Sequence, residues 1–303
     1  MISREELLRL YNIELDELLK ISSEYVKNEV EFCSLINARN GKCSQNCKYC
    51  AQSSHYCTDI DVFPLVSVEE VRKSALDAKK NRASRFAIVT SGKTPDEGRD
   101  FQIELEMIKE INKIEGLKSC ASIGILNEEQ AKQLADAGLR RFHHNINTAK
   151  SYYPEICTTH SWEERFNTCK LVKKYGMELC CGVILGMGET VEQRVEMALE
   201  LAEIQPDSIP INILMPIPQT PFENYSDKID EENVLRTLAI FKIANPDSVL
   251  RFCGGRMKLS EENQRKALKT CVEGIMVGNY LTTIGKAPEE DIKAVEELGL
   301  KIL

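Results

Sequence analysis

The strongest constraint in this chain is an alternation: short β-branched or apolar runs, each followed by a capped helical segment, recur eight times. Capping boxes stand at Ser3/Glu6, Ser67/Glu70, Ser161/Glu164 and Thr190/Gln193, with Asn127/Gln130 a near match. Behind them come apolar residues at helical spacing, such as Val68, Val71, Ala75 and Ala78. The intervening runs, 34–39, 85–89, 118–124, 141–147, 178–185, 208–215, 249–252 and 274–277, read as buried strands. Helices are expected near 66–81, 101–115, 127–137, 161–175, 190–203, 230–245, 260–270 and 288–298, with a leading helix near 4–20. Strands that alternate with helices form a parallel sheet. Eight such units imply an α/β fold of the closed TIM-type (β/α)8 barrel class, with its site at the C-terminal ends of the strands. No linker or composition shift interrupts the pattern, so residues 1–303 read as a single barrel domain.

The net charge of −8 argues against a nucleic-acid binder, which presents a basic face. No apolar run approaches the roughly 20 residues that span a bilayer, and Met1-Ile2-Ser3-Arg4 opens no signal peptide. A soluble, cytoplasmic protein with no membrane contact is expected. There, the 12 cysteines are not a disulfide framework but metal ligands, cluster ligands or small buried residues.

Directly after the first expected strand comes Cys43-Ser-Gln-Asn-Cys47-Lys-Tyr-Cys50. Three thiolates in one tight loop can hold three irons of a 4Fe–4S cube and leave the fourth open to a small molecule. A structural zinc loop is the competing reading, but zinc asks for paired C-x2-C or His partners, and only one such pair, with His55 near it, is present. Polar residues then appear where a small barrel is normally filled by apolar ones. His143, Asn145 and Asn147 fall at i, i+2 and i+4, which predicts one shared strand face turned to a polar ligand in the lumen. A solvated strand end is the alternative. Asn212 is a lone amide among Ile209, Ile211, Ile213 and Leu214. It can donate to and accept from a bound polar ligand, or satisfy a backbone group.

The run Asn40-Gly-Lys-Cys43-Ser-Gln-Asn-Cys47-Lys-Tyr-Cys50-Ala-Gln-Ser53 resembles the radical S-adenosylmethionine superfamily, and within it the biotin synthase family. The likeness continues through Ala137-Gly138-Leu139, His144-Asn145, Cys180, Gly186-Met-Gly-Glu-Thr190, Ile209-Pro-Ile-Asn212, Arg251 with Gly255-Arg256, and Leu281-Thr282-Thr283. The resemblance implies that Cys43, Cys47 and Cys50 hold a 4Fe–4S cluster whose open iron is chelated by S-adenosyl-L-methionine. Reductive cleavage of the sulfonium then yields a 5′-deoxyadenosyl radical. It implies sulfur insertion into dethiobiotin to form biotin, with two S-adenosylmethionine molecules used to break two unactivated C–H bonds. A reductant such as flavodoxin or ferredoxin, and a homodimer, come with it.

The same resemblance sets Tyr49 near the adenine and lets Ile184 cover the adenine face, in the stretch Gly182-x-Ile184-x-Gly186-x-x-Glu189, whose glycines would let the cofactor approach the backbone. Asn145 corresponds to a residue touching both ribose and substrate, Asn147 to a ribose-binding position that is Asp in well-known members, and Asn212 to the substrate-binding amide. His143 stands where those members have Asn. Another barrel of the superfamily, a hydrogenase-cofactor maturase or a methylornithine synthase, is the alternative. Such relatives generally need neither the deep cysteines nor Asn212.

One departure stands out. Cys120, Cys180 and Arg251 match ligands of a second, auxiliary iron–sulfur cluster, the proposed sulfur donor. The third cysteine of the usual 2Fe–2S site falls at Ala87, which cannot bind iron. Cys253, two residues beyond Arg251 and on the same face about 6.6 Å further along, is expected to replace it. Cys57 and Cys181 are further candidates. Gly274, where well-known members have serine, opens space beside Arg251. Together these point to a larger auxiliary cluster of four irons with an extra sulfide. Cys33, Cys157, Cys169 and Cys271 read as buried packing residues in or beside helices, and His144 as a helix-packed histidine.

Overall fold

The computed structural model describes residues 2–95, 98–225, 229–278 and 285–303, so Leu281-Thr282-Thr283 lies outside the described residues. Two short helices lead the chain, α1 (Arg4–Tyr11) and α2 (Leu15–Ser23), followed by β1 (Glu29–Arg39), α3 (Val68–Lys80), β2 (Arg85–Thr90), α4 (Arg99–Asn112) and β3 (Lys118–Ser122). Next come α5 (Glu128–Asp136), β4 (Arg141–His143), α6 (Tyr153–Ile156), α7 (Trp162–Lys174), β5 (Glu178–Cys180) and β6 (Val183–Leu185). The rest is α8 (Val191–Ile204), β7 (Ser208–Ile213), α9 (Glu231–Ala244), β8 (Val249–Phe252), α10 (Glu261–Thr270), β9 (Gly274–Met276), α11 (Pro288–Glu297) and β10 (Lys301–Ile302). All pairings between these strands are parallel, in the order β10-β1-β2-β3-β4-β5-β7-β8-β9, with β6 on β7. A β1–β9 pairing, Cys33 beside Met276, closes the ring into the expected barrel.

The capping boxes at Ser67, Asn127, Ser161 and Thr190 form as read, each side chain accepting from the N–H three residues on. That removes orphan donors where each helix leaves the barrel rim. The expected leading helix is instead two. The α1 helix stops at Asn12, whose amide folds back onto the Leu8 carbonyl at 2.8 Å, and α2 then packs on α9. The fifth expected strand also divides. A Cβ at Gly182 would stand 1.9 Å from the Pro210 carbonyl oxygen, so the backbone between β5 and β6 passes directly against β7. Gly182 is therefore there for strand packing, not for cofactor approach.

β1 begins five residues earlier than the sequence suggests, and this changes the barrel floor. Glu31, Cys33 and Leu35 take its lumen face, while Val30 and Phe32 pack in the helix layer. Glu31 accepts from Arg85 Nε at 2.5 Å, from Arg141 Nη1 at 2.8 Å, and from Arg251 Nη2. Glu178 pairs with Arg85 at 2.8 Å and Arg141 at 2.7 Å. Three guanidiniums against two carboxylates fill the bottom of the lumen. They hold the Glu31 carboxyl well below the usual range although burial opposes this. Every residue in this layer has a charged partner, which is what makes its burial tolerable.

Candidate active site

Above the charged floor the lumen opens into a cavity of about 290 Å³, small-ligand size. Its wall includes Tyr49 and Cys50 from the loop after β1, His143 and Asn145 from β4 and its end, Cys180 from β5, Ile184 from β6, Asn212 from β7, and Arg251 and Cys253 from β8 and just beyond. These are strand C-termini, where a barrel of this kind carries its chemistry.

The Cys43–Cys50 loop is pinned by backbone. Cys43 N–H donates to the Gln52 carbonyl at 2.9 Å, Ser54 N–H to the Cys43 carbonyl at 2.7 Å, and Cys50 N–H to the Cys47 carbonyl at 3.0 Å. Burial pushes the Cys50 thiol up to about 11. Cys47 is raised further, its thiol facing Cys157 Sγ at 3.7 Å. Metal binding requires these protons to leave, so a cation must compensate them. Cys157 is not the plain packing residue its sequence context suggests. Its sulfur lies 3.2 Å from His160 Nδ1, and that nitrogen lies 2.9 Å from Gln45 Oε1. Cys47, Cys157 and His160 bring their ligand atoms within 4.8 Å of one another. The i, i+3 spacing of Cys157 and His160 was the available signal.

The polar row is only partly as expected. His143 and Asn145 reach the cavity, but Asn147 does not line it. β4 ends at His143, and Asn147 adopts φ +68°, a left-handed turn that ends the period of two. Its backbone instead bridges to β6, donating to the Gly182 carbonyl at 3.1 Å and accepting from Ile184 N–H at 2.8 Å. Burial, then Arg141, Arg251 and Arg85, push His143 down to about 3, so it is a neutral imidazole at neutral pH. Asn145 Oδ1 accepts from Gly182 N–H at 3.0 Å. Asn212 donates to the Val183 carbonyl at 3.2 Å and accepts from Gly254 N–H at 3.1 Å. Its backbone role and its place on the cavity wall coexist. Glu189 closes its own loop, accepting from Gly186 N–H at 2.9 Å and Met187 N–H at 2.8 Å and pairing with Arg194 at 2.9 Å. His144 is helix-packed as read, stacked on Phe142 with ring centroids 6.1 Å apart.

The deep thiols are rearranged relative to expectation. Ala87 is fully buried on β2 between Leu35 and Cys120 and offers no ligand atom, so the usual three-cysteine set does not fit this chain. Cys57 is exposed in the loop, and Cys181 faces the helix layer with its sulfur 3.8 Å from Cys169 Sγ. Neither joins the lumen. Cys253 does, and so does Cys33, which lies on β1 and not in or beside a helix. Cys33, Cys120 and His143 have ligand atoms within 4.8 Å of one another. The hydrogen bond with Cys120 pulls the Cys33 thiol down to about 7 against its burial, with Arg251 adding in the same direction. A Cβ at Gly274 would stand 3.0 Å from Arg251 Cζ, so the space that glycine leaves is occupied by the guanidinium itself. Three thiols in one loop are the donor set of an open-sited cluster, and Cys33, Cys120, Cys180 and Cys253 put further thiols in the lumen above the charged floor.

Residues 39–202 match the family model described as the Radical SAM superfamily, and residues 210–301 the Biotin and Thiamin Synthesis associated domain. The chain is 43% identical over 308 residues to the biotin synthase of Acetivibrio thermocellus, covering 100% of this chain and 95% of the relative. It is 41% identical over 309 residues to that of Pelotomaculum thermopropionicum, covering 100% and 96%. The chain belongs to the biotin synthase family. Among solved structures, methylornithine synthase superposes with TM-score 0.84 at 15% identity, over 100% of this chain and 94% of that one. The FeFe-hydrogenase maturase of Carboxydothermus hydrogenoformans gives 0.83 at 13%, over 99% and 76%. At that identity these two share the barrel with the family and nothing more specific. The alternative enzyme classes raised by the sequence therefore share its fold, whereas the whole-chain identity lies with the biotin synthases. No helix among the described residues is long and apolar enough to cross a membrane.

Proposed function

We propose that this chain, as one barrel domain over residues 1–303, inserts sulfur into dethiobiotin to form biotin, in the cytoplasm and as a homodimer supplied with electrons by a flavodoxin or ferredoxin. One observation carries the reading. A single cavity is lined by Tyr49 and Cys50 of the cysteine loop, by Cys180, Cys253 and Arg251, and by the amides of Asn145 and Asn212. Cys43, Cys47 and Cys50 would hold the 4Fe–4S cluster, and Cys120, Cys180 and Cys253, with Arg251 beside them, the auxiliary one. When bound, the first supplies the electron that cleaves S-adenosylmethionine and the second supplies sulfur.

The chain's own residues do the positioning. Tyr49 and Ile184 present apolar faces to the adenosyl group, and Asn145 lies at its ribose end, while Asn147 is turned out of the cavity wall. Asn212, held by Val183 and Gly254, offers a fixed amide to the cyclic urea. His143 stays neutral and adds no charge beside the radical path. The test uses anaerobically reconstituted protein with S-adenosylmethionine, a low-potential reductant and dethiobiotin. Biotin should form, and Asn212→Leu should weaken dethiobiotin binding about tenfold or more, the effect of one lost buried hydrogen bond of about 1–3 kcal/mol. S-adenosylmethionine binding should barely move. Unchanged dethiobiotin affinity in a variant of normal melting temperature refutes the assignment.

A further inference from the structure

We propose that Cys33 is a thiolate ligand of the auxiliary iron–sulfur cluster, taking the place that Ala87 leaves vacant on the neighbouring strand. The proposal deepens the biotin-forming reading above and rests on it.

Packing thiols in this protein have a recognisable setting. Cys169 donates to the His144 carbonyl at 3.3 Å in the helix–strand layer. Cys271 sits at the C-terminus of α10 with Ser22 Oγ at 3.3 Å. Cys33 differs from both. It lies in the lumen, 1% exposed, and packs with Cys253, Met276 and Leu35 in a small group apart from the main core. Its sulfur approaches the Ser34 carbonyl at 3.7 Å and hydrogen-bonds with the Cys120 thiol inside the lumen.

Register explains why this position can substitute for β2. Leu35 is the Cα partner of Ala87, and Ala87 is the partner of Cys120. Cys33 is two residues before Leu35, on the same lumen face of β1. It is thus one diagonal step from Ala87, and the sulfur that Ala87 lacks relative to a β2 cysteine leaves room on the side where Cys33 faces Cys120. Its sulfur, that of Cys120 and a ring nitrogen of His143 converge within 4.8 Å, and Cys253 belongs with Cys33 and Met276 to one small buried cluster. Thiolates with a neutral imidazole are donors that iron–sulfur clusters accept. Below lies the charged floor, three guanidiniums to two carboxylates, a net positive layer under an anionic group.

The test separates this ligand from the parent reading. In a chain carrying Cys43→Ala, Cys47→Ala and Cys50→Ala, anaerobic reconstitution leaves only auxiliary iron, read as iron, acid-labile sulfide and the Mössbauer spectrum. Adding Cys33→Ala should abolish that iron and sulfide, whereas adding Cys271→Ala should not. With the loop cysteines intact, Cys33→Ala should keep the about four irons of the first cluster, showing that the barrel is folded. Auxiliary iron and sulfide that survive Cys33→Ala overturn the ligand and leave the auxiliary cluster standing. A triple variant without any iron overturns the parent reading and this one with it. Iron without sulfide makes the site mononuclear and overturns the cluster. Loss of the first cluster as well makes Cys33 a packing residue, which also refutes the proposal.

Discussion

Replacing Glu31 with Gln keeps the shape of the side chain and removes the charge at the centre of the barrel floor. In the native protein its carboxylate accepts from Arg85, Arg141 and Arg251. Glu178 continues to pair with Arg85 and Arg141 after the change, but it makes no ion pair with Arg251. Arg251, with its side chain 1% exposed, would be left with neutral acceptors, the Glu31 carbonyl at 3.1 Å and Ser208 Oγ at 3.4 Å. Stranding one buried cation in this way costs about 3–5 kcal/mol, a large share of a typical folding free energy of about 5–15 kcal/mol. Glu178→Gln should cost less, about 1 kcal/mol, because that side chain is 30% exposed and solvent screens its partners. Urea unfolding of the iron-free protein, followed by circular dichroism, gives both values from the midpoint shift at constant slope. The acid limb gives a second reading. A carboxyl held below its ordinary value contributes stability that is present above about pH 4.5 and lost as pH falls through its depressed value. Wild type should therefore lose stability below pH 4.5 more steeply than Glu31→Gln. A Glu31→Gln protein within about 1 kcal/mol of wild type, or with an unchanged acid limb, refutes the account of the floor.

Cys43→Ala, Cys47→Ala or Cys50→Ala should each remove the first cluster and abolish reductive cleavage of S-adenosylmethionine; a variant that still makes 5′-deoxyadenosine at the wild-type rate shows that its cysteine is not a ligand. Cys253→Ser should lose auxiliary iron and biotin formation while retaining 5′-deoxyadenosine formation, as iron analysis beside product analysis will register. If Ala87→Cys instead raises biotin yield above wild type while Cys253→Ser changes nothing, Cys253 is a bystander.

The barrel was legible in the sequence because its signals are local: a capping box, a helical stripe and a short strand can each be seen within one unit. The cysteine loop was visible for the same reason, its three cysteines lying within eight residues. Cys33 was not. Expecting the first strand only from Ser34 put Cys33 outside it, since Glu29 and Glu31 make the preceding run look unlike a buried strand. What makes Glu31 admissible there is three guanidiniums from β2, β4 and β8, a compensation that exists only after the sheet closes. Asn147 failed differently. The period of two holds only while the backbone stays extended, and nothing in Asn145-Ile-Asn147 announces the left-handed turn that removes it from the cavity wall. Gly182 was misassigned because its reason, the Pro210 carbonyl, lies on another strand.

A barrel whose base is filled by Glu31, Glu178, Arg85, Arg141 and Arg251 is a vessel that opens at its strand C-termini. Tyr49 and Asn212 share its wall with Cys180 and Cys253, the thiols that lie nearer the base. Such a vessel is furnished from the bottom upward. An occupant seated between Tyr49 and Asn212 stands between the deep sulfurs and solution, shielding them from thiol reagents and equally from resupply.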